Sequence, residues 1–156
     1  MIKFIVAIDE KNGLADDNGI PWDLPEDKKY YRDKIKNTSV LMGYNTYSEN
    51  KSPMSGKLTY VASRESKQLK DGFISVTDPA KLLDEIEEDI WVIGGAGLFS
   101  SLIDKADELY ITKLEGDFSC TKFFPDYSKD FELVSESELK TDNSINFRFT
   151  VYRRKK

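Results

Sequence analysis

Short apolar segments alternate with amphipathic segments over the first two-thirds of the chain, and this alternation limits the fold to few architectures. The apolar segments predict buried strands at 2–8, 39–43, 58–63, 73–76, 89–95 and 108–115. Helices are predicted at 25–35, 78–88 and 96–103, with a short one beginning near residue 45, and two closing strands at 131–136 and 145–154. The pattern indicates an α/β fold: a mostly parallel sheet flanked by helices, with an antiparallel C-terminal edge.

The numbers of cysteine and histidine residues limit the kinds of catalytic and metal site that this chain can form. It has 156 residues, one cysteine (Cys120) and no histidine. A disulfide framework, histidine-based zinc sites and histidine-based triads are therefore excluded, and no metal site is expected. Acid or base chemistry must come from Asp, Glu, Lys, Tyr or a cofactor.

Length and charge indicate the broad class of protein. We expect a single domain over 1–156, since 156 residues can bury one core. The net charge of −5 provides no basic footprint for nucleic acid. No segment approaches the roughly 20 apolar residues of a membrane span, and the first residues do not resemble a signal peptide, so a cytoplasmic protein without membrane partners is expected.

A carboxylate on an apolar helix face is the first candidate functional group. In the helix predicted from Pro25, the apolar stripe consists of Leu24, Tyr31 and Ile35, and Asp27 falls on that stripe. One interpretation is an acidic residue placed in the first turn by the helix dipole. The other is a buried anion that binds a donor-rich, amidine-like ligand edge through two parallel hydrogen bonds.

Three predicted strand ends carry groups suited to anions. Gly94 and Gly95 separate a strand from a helix, Thr46 follows the strand that ends at Gly43, and Ser63 and Arg64 follow another. Each alone is equally typical of a tight turn, an N-cap or a solvated loop. Together, beside Asp27, they predict a dinucleotide lying across strand ends next to a small-molecule pocket.

At this point the chain resembles the dihydrofolate reductases over nearly its whole length. The family's motifs recur in order: G-I-P-W-x-L-P-x-D at 19–27, M-G-x-x-T at 42–46, S-R-E at 63–65, I-G-G-A at 93–96, Y-I-T at 110–112 and F-F-P at 123–125. The first of these is specific, whereas I-G-G and M-G-x-x-T are informative only in this order and spacing.

The resemblance implies a three-layer fold with a central eight-stranded, mostly parallel sheet, an antiparallel C-terminal edge and four helices. It also implies NADPH-dependent reduction of 7,8-dihydrofolate to tetrahydrofolate by a monomer. Asp27 would bind the pterin's amino-pyrimidine edge and promote protonation of its ring, and Thr112 would hydrogen-bond near Asp27. Trp22 and the loop before it would cover the pterin and the nicotinamide.

The resemblance further assigns the two binding regions residue by residue. The substrate would contact Ile5, Val6, Ala7, Asp27, Lys28, Tyr31, Met54, Lys57, Ile93 and Thr112. The NADPH cofactor would contact Ala7, Gly19, Ile20, Gly43, Tyr44, Asn45, Thr46, Ser63, Arg64, Ile93, Gly94, Gly95, Ala96, Gly97, Leu98 and Phe99, with Ser63 and Arg64 on the adenosine 2′-phosphate.

Several positions depart from the family's usual residues. Tyr44 and Gly97 stand where an arginine is common, and Lys57 stands where an arginine holds the folate carboxylate; lysine lacks the planar fork. Lys28 replaces an apolar residue and would either reach the folate tail or shield Asp27. Thr121 replaces an aspartate that usually holds the loop before Trp22 in place. The sequence therefore does not indicate how firmly that loop is held.

Two other functions remain as alternatives. One is a related pterin reductase or riboflavin-pathway pyrimidine reductase. The segment at 19–27 argues against it, because in the resembled family this segment contacts a pterin. The other is a non-catalytic nucleotide-binding relative, against which the presence of both Asp27 and Trp22 speaks.

Overall fold

A computed structural model describes residues 1–49, 58–66 and 68–156. The helices are α1 (Pro25–Ile35), α2 (Tyr44–Glu49), α3 (Pro79–Glu85) and α4 (Ala96–Leu102), the last followed by a 3-10 turn (Ile103–Lys105). The strands are β1 (Ile2–Ile8), β2 (Gly13–Ala15), β3 (Ser39–Gly43), β4 (Thr59–Ala62), β5 (Phe73–Val76), β6 (Ile90–Val92), β7 (Glu108–Leu114), β8 (Lys122–Phe123), β9 (Phe131–Glu136), β10 (Lys140–Asp142) and β11 (Ile145–Arg154).

One large sheet organises the molecule. Eight of its strands follow the order β10-β11-β7-β1-β6-β3-β4-β5, and β9 also pairs with β11, which makes nine strands among the described residues. The strands from β7 to β5 are parallel, whereas β11 runs antiparallel to β7, β9 and β10. The predicted α/β class, with its antiparallel C-terminal edge and four helices, is confirmed; the ninth strand arises because β9 and β10 pair with different parts of β11.

The central strands are buried on both faces of this sheet. On one face Phe4 and Ile8 of β1 belong to the largest apolar cluster, which includes Phe99 of α4. On the other face Ile5 belongs to a second cluster with Trp91 and with Ile35 of α1. Burial on both sides explains why these strands are continuous apolar runs in the sequence.

The helices begin where the sequence signals predict, but α3 and α4 end before the predicted residue. α4 ends at Leu102, one residue before the predicted end. α1 begins at Pro25 and ends at Ile35 as expected. The Asp78 carboxylate caps α3 by accepting a hydrogen bond from the Lys81 amide at 3.1 Å, yet this helix ends at Glu85 rather than residue 88. None of the helices in the described part of the chain has the length and apolar character needed to cross a membrane.

A second, two-stranded sheet joins the covering loop, which we define as residues 9–24, to β8. The sequence indicated only loop at 9–19, but β2 pairs there with β8. The Thr121 amide donates to the Ala15 carbonyl at 3.0 Å, and the Phe124 amide donates to the Asn12 carbonyl at 2.8 Å. Backbone pairing thus restrains the loop although the usual aspartate is replaced by Thr121.

The buried Asp9 carboxylate fixes the start of the covering loop. Its Oδ1 accepts hydrogen bonds from the amides of Lys11 at 2.9 Å and Gly13 at 2.8 Å, and its Oδ2 accepts one from the Phe118 amide at 3.0 Å. One side chain therefore holds two separate loops together at the end of β1.

Candidate active site

A cleft of about 1400 Å³ opens at the carboxyl ends of the central parallel strands, between α1, the covering loop and the turn before α4. This position is where open α/β sheets bind ligands. The volume exceeds the roughly 300–1,000 Å³ typical of a pocket for one small molecule. The cleft therefore has room for two ligands side by side.

The structure brings almost all of the predicted site residues to this one cleft. Among the predicted residues that lie in the described ranges, those lining it are Ile5, Val6, Ala7, Gly19, Ile20, Trp22, Asp27, Lys28, Tyr31, Gly43, Tyr44, Asn45, Thr46, Ser63, Arg64, Ile93, Gly94, Gly95, Ala96, Gly97, Leu98 and Phe99. Thr112 does not line the cleft and reaches it through Asp27. Met54 and Lys57 lie outside the described residues.

The Asp27 carboxylate is the central polar group of the cleft. It projects from the first turn of α1, and its Oδ1 accepts a hydrogen bond of 2.6 Å from the hydroxyl of the buried Thr112 on β7. Burial raises the pKa of Asp27, and the Thr112 hydrogen bond opposes that rise. The site thus holds a desolvated carboxylate that is supported by one neutral donor.

An aromatic stack joins α1 to β11 beside Asp27 and Thr112. The ring of Tyr30 on α1 stacks on Phe149 of β11, with centroids 4.0 Å apart and an interplanar angle of 13°. Phe149 is the cross-strand neighbour of Thr112. Burial, with smaller contributions from Tyr110 and the negative charge of Asp27, raises the pKa of Tyr30 to about 12, so its hydroxyl stays neutral. The sequence did not identify this support, because Phe149 is distant in the chain.

Tyr31 extends the apolar wall of the cleft beside Asp27. Burial raises the pKa of Tyr31 well above its usual range, so its hydroxyl is neutral at physiological pH. An aromatic ring here would contact a flat ligand held by Asp27.

Lys28 lies at the mouth of the cleft and is directed away from Asp27. Its ammonium donates to Oδ1 of Asp23 at 2.8 Å, and both side chains are more than 60% exposed. The structure therefore provides no ion pair between Lys28 and Asp27. The ammonium is accessible at the entrance, where the tail of a long ligand would leave the cleft.

Trp22 closes the cleft from the covering-loop side. Its ring is buried and packs edge-on against Phe118, with centroids 5.2 Å apart. The neighbouring Ile20 is 66% exposed, so an apolar side chain stands free at the rim. The loop therefore combines a fixed aromatic wall with an apolar edge that a ligand can cover.

Glycines at two strand ends leave backbone open to the cleft. The Gly43 amide donates to the Gly94 carbonyl at 2.7 Å, and a Cβ atom at Gly43 would lie 3.5 Å from that oxygen. Gly94 has a φ of +123°, which L side chains rarely adopt. The Thr46 hydroxyl lies near both Gly94 and Gly95. A ligand can therefore approach the main chain of the two glycines, with the Thr46 hydroxyl and the Phe99 ring as the neighbouring side chains.

The far end of the cleft carries a mixture of charges. Arg64 and Glu65 both line it directly after β4, and the Ser63 hydroxyl donates to the Glu65 carbonyl. Tyr44, which stands where an arginine is common, is 40% exposed and leans against Tyr47 at 5.5 Å between centroids. The region offers a guanidinium, amides and an aromatic face.

The cleft also contains residues that no sequence pattern identifies. They are Leu14, Ala15, Asp16, Asp17, Asn18, Leu24, Glu49, Glu65 and Lys122. Those from the covering loop and β8 become part of the wall only through the β2–β8 pairing, which no periodicity predicts. Lys122 adds a cation to the lining of the cleft, and Glu49 and Glu65 add carboxylates to it.

Comparison with protein families gives one consistent result. The family model described as "Dihydrofolate reductase" matches residues 1–154. The chain is 31% identical to the dihydrofolate reductase of Bacillus subtilis (strain 168) over 160 residues, covering 99% of this chain and 95% of that protein. It is 30% identical to the dihydrofolate reductase of Staphylococcus aureus over 158 residues, covering 99% of each.

Comparison with solved structures supports the fold. The dihydrofolate reductase from Enterococcus faecalis, complexed with NADP(H) and RAB-propyl, superposes with a TM-score of 0.87. The alignment covers 100% of this chain and 97% of that one at 24% sequence identity. The similarity in architecture therefore extends over the whole chain.

Proposed function

The chain belongs to the dihydrofolate reductase family, and we propose that its cleft catalyses the NADPH-dependent reduction of 7,8-dihydrofolate to 5,6,7,8-tetrahydrofolate. Tetrahydrofolate is the form that serves one-carbon metabolism. In this proposal, Asp27 is the residue that binds and polarises the pterin. The observation that carries this assignment is the buried Asp27 carboxylate, bonded to Thr112 and exposed to a cleft large enough for two ligands.

The residues present fit both ligands. A flat heterocycle with an amino-pyrimidine edge matches Asp27, since a carboxylate can accept two parallel N–H donors. The apolar side chains of Ile5, Tyr31 and Ile93 line the same part of the cleft. For the cofactor, the open backbone at Gly94 and Gly95 and the nearby Thr46 hydroxyl supply the donors that a pyrophosphate requires.

Asp27 has two tasks in this proposal. It orients the pterin through hydrogen bonds, and its negative charge favours a proton on the ring nitrogen beside the carbon that is reduced. The nicotinamide of bound NADPH supplies the hydride. Because Asp27 binds the opposite side of the ring, the proton reaches the nitrogen through water. Burial raises the pKa of Asp27, so its carboxylate is a stronger proton acceptor than an exposed aspartate.

Trp22 and the covering loop keep bulk water away from the reacting atoms. The Trp22 ring is anchored by Phe118, and the loop is anchored by Asp9 and by the β2–β8 pairing. Exclusion of water strengthens the electrostatic effect of Asp27 on the substrate. These anchors hold the wall in position while Ile20, at its edge, covers the ligands.

The adenosine end of the cofactor is assigned to Ser63, Arg64 and Tyr44. Arg64 would bind the 2′-phosphate, the group that separates NADPH from NADH, through its planar fork. Tyr44 offers an aromatic face in place of the usual arginine. The remaining contacts that we propose for the cofactor come from Ala7, Gly19, Ile20, Gly43, Asn45, Ile93, Ala96, Gly97, Leu98 and Phe99.

The folate tail is assigned to the entrance beside Lys28. The exposed ammonium of Lys28 can leave Asp23 and meet a tail carboxylate at low cost, since exposed ion pairs contribute at most about 1 kcal/mol. Lys57 remains the predicted contact for the tail carboxylate and Met54 a predicted substrate contact, and both lie outside the described residues. Val6 would contribute through its backbone beside Ile5.

We further propose that the enzyme acts as a cytoplasmic monomer with one domain over residues 1–156. The single cysteine is typical of a protein that does not depend on disulfides.

The first test of this assignment is the variant Asp27→Asn. We expect turnover of dihydrofolate to fall at least about 100-fold near pH 7, the lower bound typical of acid–base catalysis, and to recover partly in acid, where the substrate arrives protonated. Asp33→Asn is the matched control, because Asp33 lies on the exposed side of α1 and pairs with Lys29 at 2.8 Å. Unchanged turnover in Asp27→Asn would refute the role of this carboxylate.

A further inference from the structure

A hairpin near the C-terminus contacts the first turn of α1, which is the turn that carries Asp27. The hairpin consists of β10, the turn at 143–144 and the start of β11. Its Asp142 carboxylate accepts a hydrogen bond of 3.0 Å from the amide of Glu26, 116 positions earlier in the chain. Asp142 is therefore bonded to the residue that immediately precedes Asp27.

The first turn of α1 has no capping side chain of its own. The first amides of a helix have no carbonyl partner within the helix and need another acceptor. Leu24 occupies the N-cap position of α1, and its side chain makes no capping hydrogen bond. Pro25 has no amide hydrogen, so Glu26 carries the first free amide of the helix. Asp142 thus caps α1 from a different element of the fold.

The charges around this contact favour it. The N-terminal end of a helix is positive and stabilises a carboxylate placed there. The side chains of Glu26 and Glu138 are also negative, but Lys140 pairs with both. Its ammonium lies 3.3 Å from Oε2 of Glu26 and 3.1 Å from Oε1 of Glu138. Strand β10 therefore holds Glu26 through the backbone, by Asp142, and through the side chain, by Lys140.

The base of the hairpin is anchored in the core. Phe147, which is opposite Lys140 in the strand register, is fully buried. It belongs to an apolar cluster that also contains Trp22 and Leu24. The Lys140 ammonium lies over the ring of Phe149, 5.8 Å from its centroid. The strand that presents Asp142 to α1 is thus fixed by buried aromatic residues next to the start of the helix.

The position of Asp27 depends on the first turn of α1. Its carboxylate accepts the 2.6 Å hydrogen bond from Thr112 on β7, so the helix and the sheet both determine where it lies. Fraying of the first turn would move the Asp27 backbone relative to Thr112. A misplacement of about 1 Å in a group that orients a substrate can reduce the rate roughly 100-fold.

We propose that Asp142 is a positioning residue for Asp27, because it caps the turn of α1 that presents the Asp27 carboxylate to the substrate. The inference rests on the proposed function, in which Asp27 binds and polarises the pterin. Asp142 itself is not among the described residues that line the cleft. Its loss should therefore impair the use of dihydrofolate and leave the binding of NADPH unchanged.

The kinetic test compares Asp142→Ala, which removes the cap, with Asp142→Asn, which keeps an oxygen that can accept from the Glu26 amide. We expect kcat/KM for dihydrofolate, at saturating NADPH, to fall at least about threefold in Asp142→Ala, near the lower end of what loss of an N-cap causes. Asp142→Asn should restore most of this loss, since asparagine and aspartate cap helices about equally well. The Kd of NADPH should be the same in both variants and the parent.

Asp78→Ala is the matched control for the kinetic test. Asp78 caps α3 in the same way, by accepting from the Lys81 amide at 3.1 Å, and it is not among the described cleft residues. This variant should lower the unfolding temperature about as much as Asp142→Ala, with kcat/KM unchanged. Equal kinetic losses in the two variants, unchanged kcat/KM in Asp142→Ala, or no recovery in Asp142→Asn would overturn the positioning role.

Amide hydrogen exchange of the chain without ligands tests the cap independently of activity. The Glu26 amide is bonded to Asp142, and the Lys28 amide donates to the Leu24 carbonyl at 2.9 Å. Both amides should exchange at least about threefold faster in Asp142→Ala and not in Asp78→Ala. Unchanged exchange would overturn the proposal, whereas an inactive parent enzyme would refute only the proposed function. Asp142→Leu, which also lacks an acceptor, decides the question if Asp142→Ala does not fold.

Discussion

At the scale of the residue, Asp27 shows how an apolar helix position comes to hold a charge. Desolvation penalises the ionised carboxylate, and the hydrogen bond from Thr112 recovers part of that cost. A hydrogen bond to a charged group contributes about 1.5–3 kcal/mol. Thr112 therefore holds the Asp27 carboxylate by a hydrogen bond and lowers its proton affinity, although it does not line the cleft.

Replacing Thr112 with valine tests this role. The Thr112 bond lowers the pKa of Asp27, so its loss raises that pKa further above the ordinary value, and the carboxyl group stays protonated to a higher pH. We expect the apparent pKa in the pH profile of kcat/KM to move upward and kcat/KM near pH 7 to fall about tenfold, which corresponds to about 1.4 kcal/mol.

Thr150→Val provides the control for this variant. Thr150 is also buried, but its hydroxyl donates to the Ile111 carbonyl at 2.6 Å and not to Asp27. This change should reduce stability and leave the pH profile in place. An identical pH profile in Thr112→Val and the parent enzyme would contradict the role given to Thr112.

Residue patterns reveal some of these groups and not others. Asp27 and the glycines at 94 and 95 are visible in the sequence because each breaks a local pattern. The pairing of Lys28 with Asp23 is not visible, because the direction of a long exposed side chain depends on its neighbours in space. The stack of Tyr30 on Phe149 joins residues more than 100 positions apart, and the pairing of Phe149 with Thr112 depends on strand register, so neither is visible in a local pattern.

At the scale of the element, the covering loop is held by a contact between a glycine and a cysteine. A Cβ atom at Gly13 would lie 2.4 Å from Cβ and 2.8 Å from Sγ of Cys120. The thiol is an unreactive packing group, since burial and the neighbouring Asp9 raise its pKa to about 11. Close packing at this point brings β2 alongside β8.

The variant Gly13→Ala should therefore lower stability by about 1–3 kcal/mol, the usual cost of overpacking. Adding Cys120→Gly removes both clashing atoms and should restore part of the loss, so that the two changes are not additive in a double-mutant cycle. Thermal unfolding measures both effects. Gly97→Ala is the control for stability, because a Cβ atom there meets nothing within 4 Å. Additive effects of the two changes would contradict this packing.

Long helices and strands with a clear hydrophobic period were predicted more accurately than short ones. The helix at 25–35 and the strands at 131–136 and 145–154 match their predicted bounds. β2, β8 and β10 escape detection because strands of two or three residues show no alternation. The sequence predicts that α3 ends at residue 88, but the helix ends at Glu85. The difference arises because Ile86 continues the apolar pattern although its backbone is already extended.

At the scale of the whole molecule, the sheet connects every part of the site. Alternation in the sequence predicts a mostly parallel sheet, but the order β7-β1-β6-β3 cannot be derived from it, because strands buried on both faces have similar compositions. The family match over residues 1–154 also leaves the pyrimidine reductase and the non-catalytic relative without support. Fold and activity are therefore established at the level of the family.

A chain whose core is organised by one large sheet should unfold in a single thermal transition. Binding of NADPH should raise the temperature of that whole transition. NADPH at 100 times its Kd adds about 2.7 kcal/mol of stability. For a domain of this size, that corresponds to a rise in Tm of roughly 5–10 °C. Calorimetry with and without NADPH measures the shift. A second transition that NADPH does not move would contradict the single domain proposed over residues 1–156.

The most direct test of the central claim is the loss of NADPH absorbance when 7,8-dihydrofolate is added to the purified protein. Parallel reactions contain NADH in place of NADPH, or no dihydrofolate. We predict that NADPH is consumed in amounts equal to the dihydrofolate supplied, and that NADH is consumed more slowly because Arg64 has no 2′-phosphate to bind. An absence of NADPH oxidation, while NADPH still raises the unfolding temperature, would contradict the assignment of this cleft to dihydrofolate reduction.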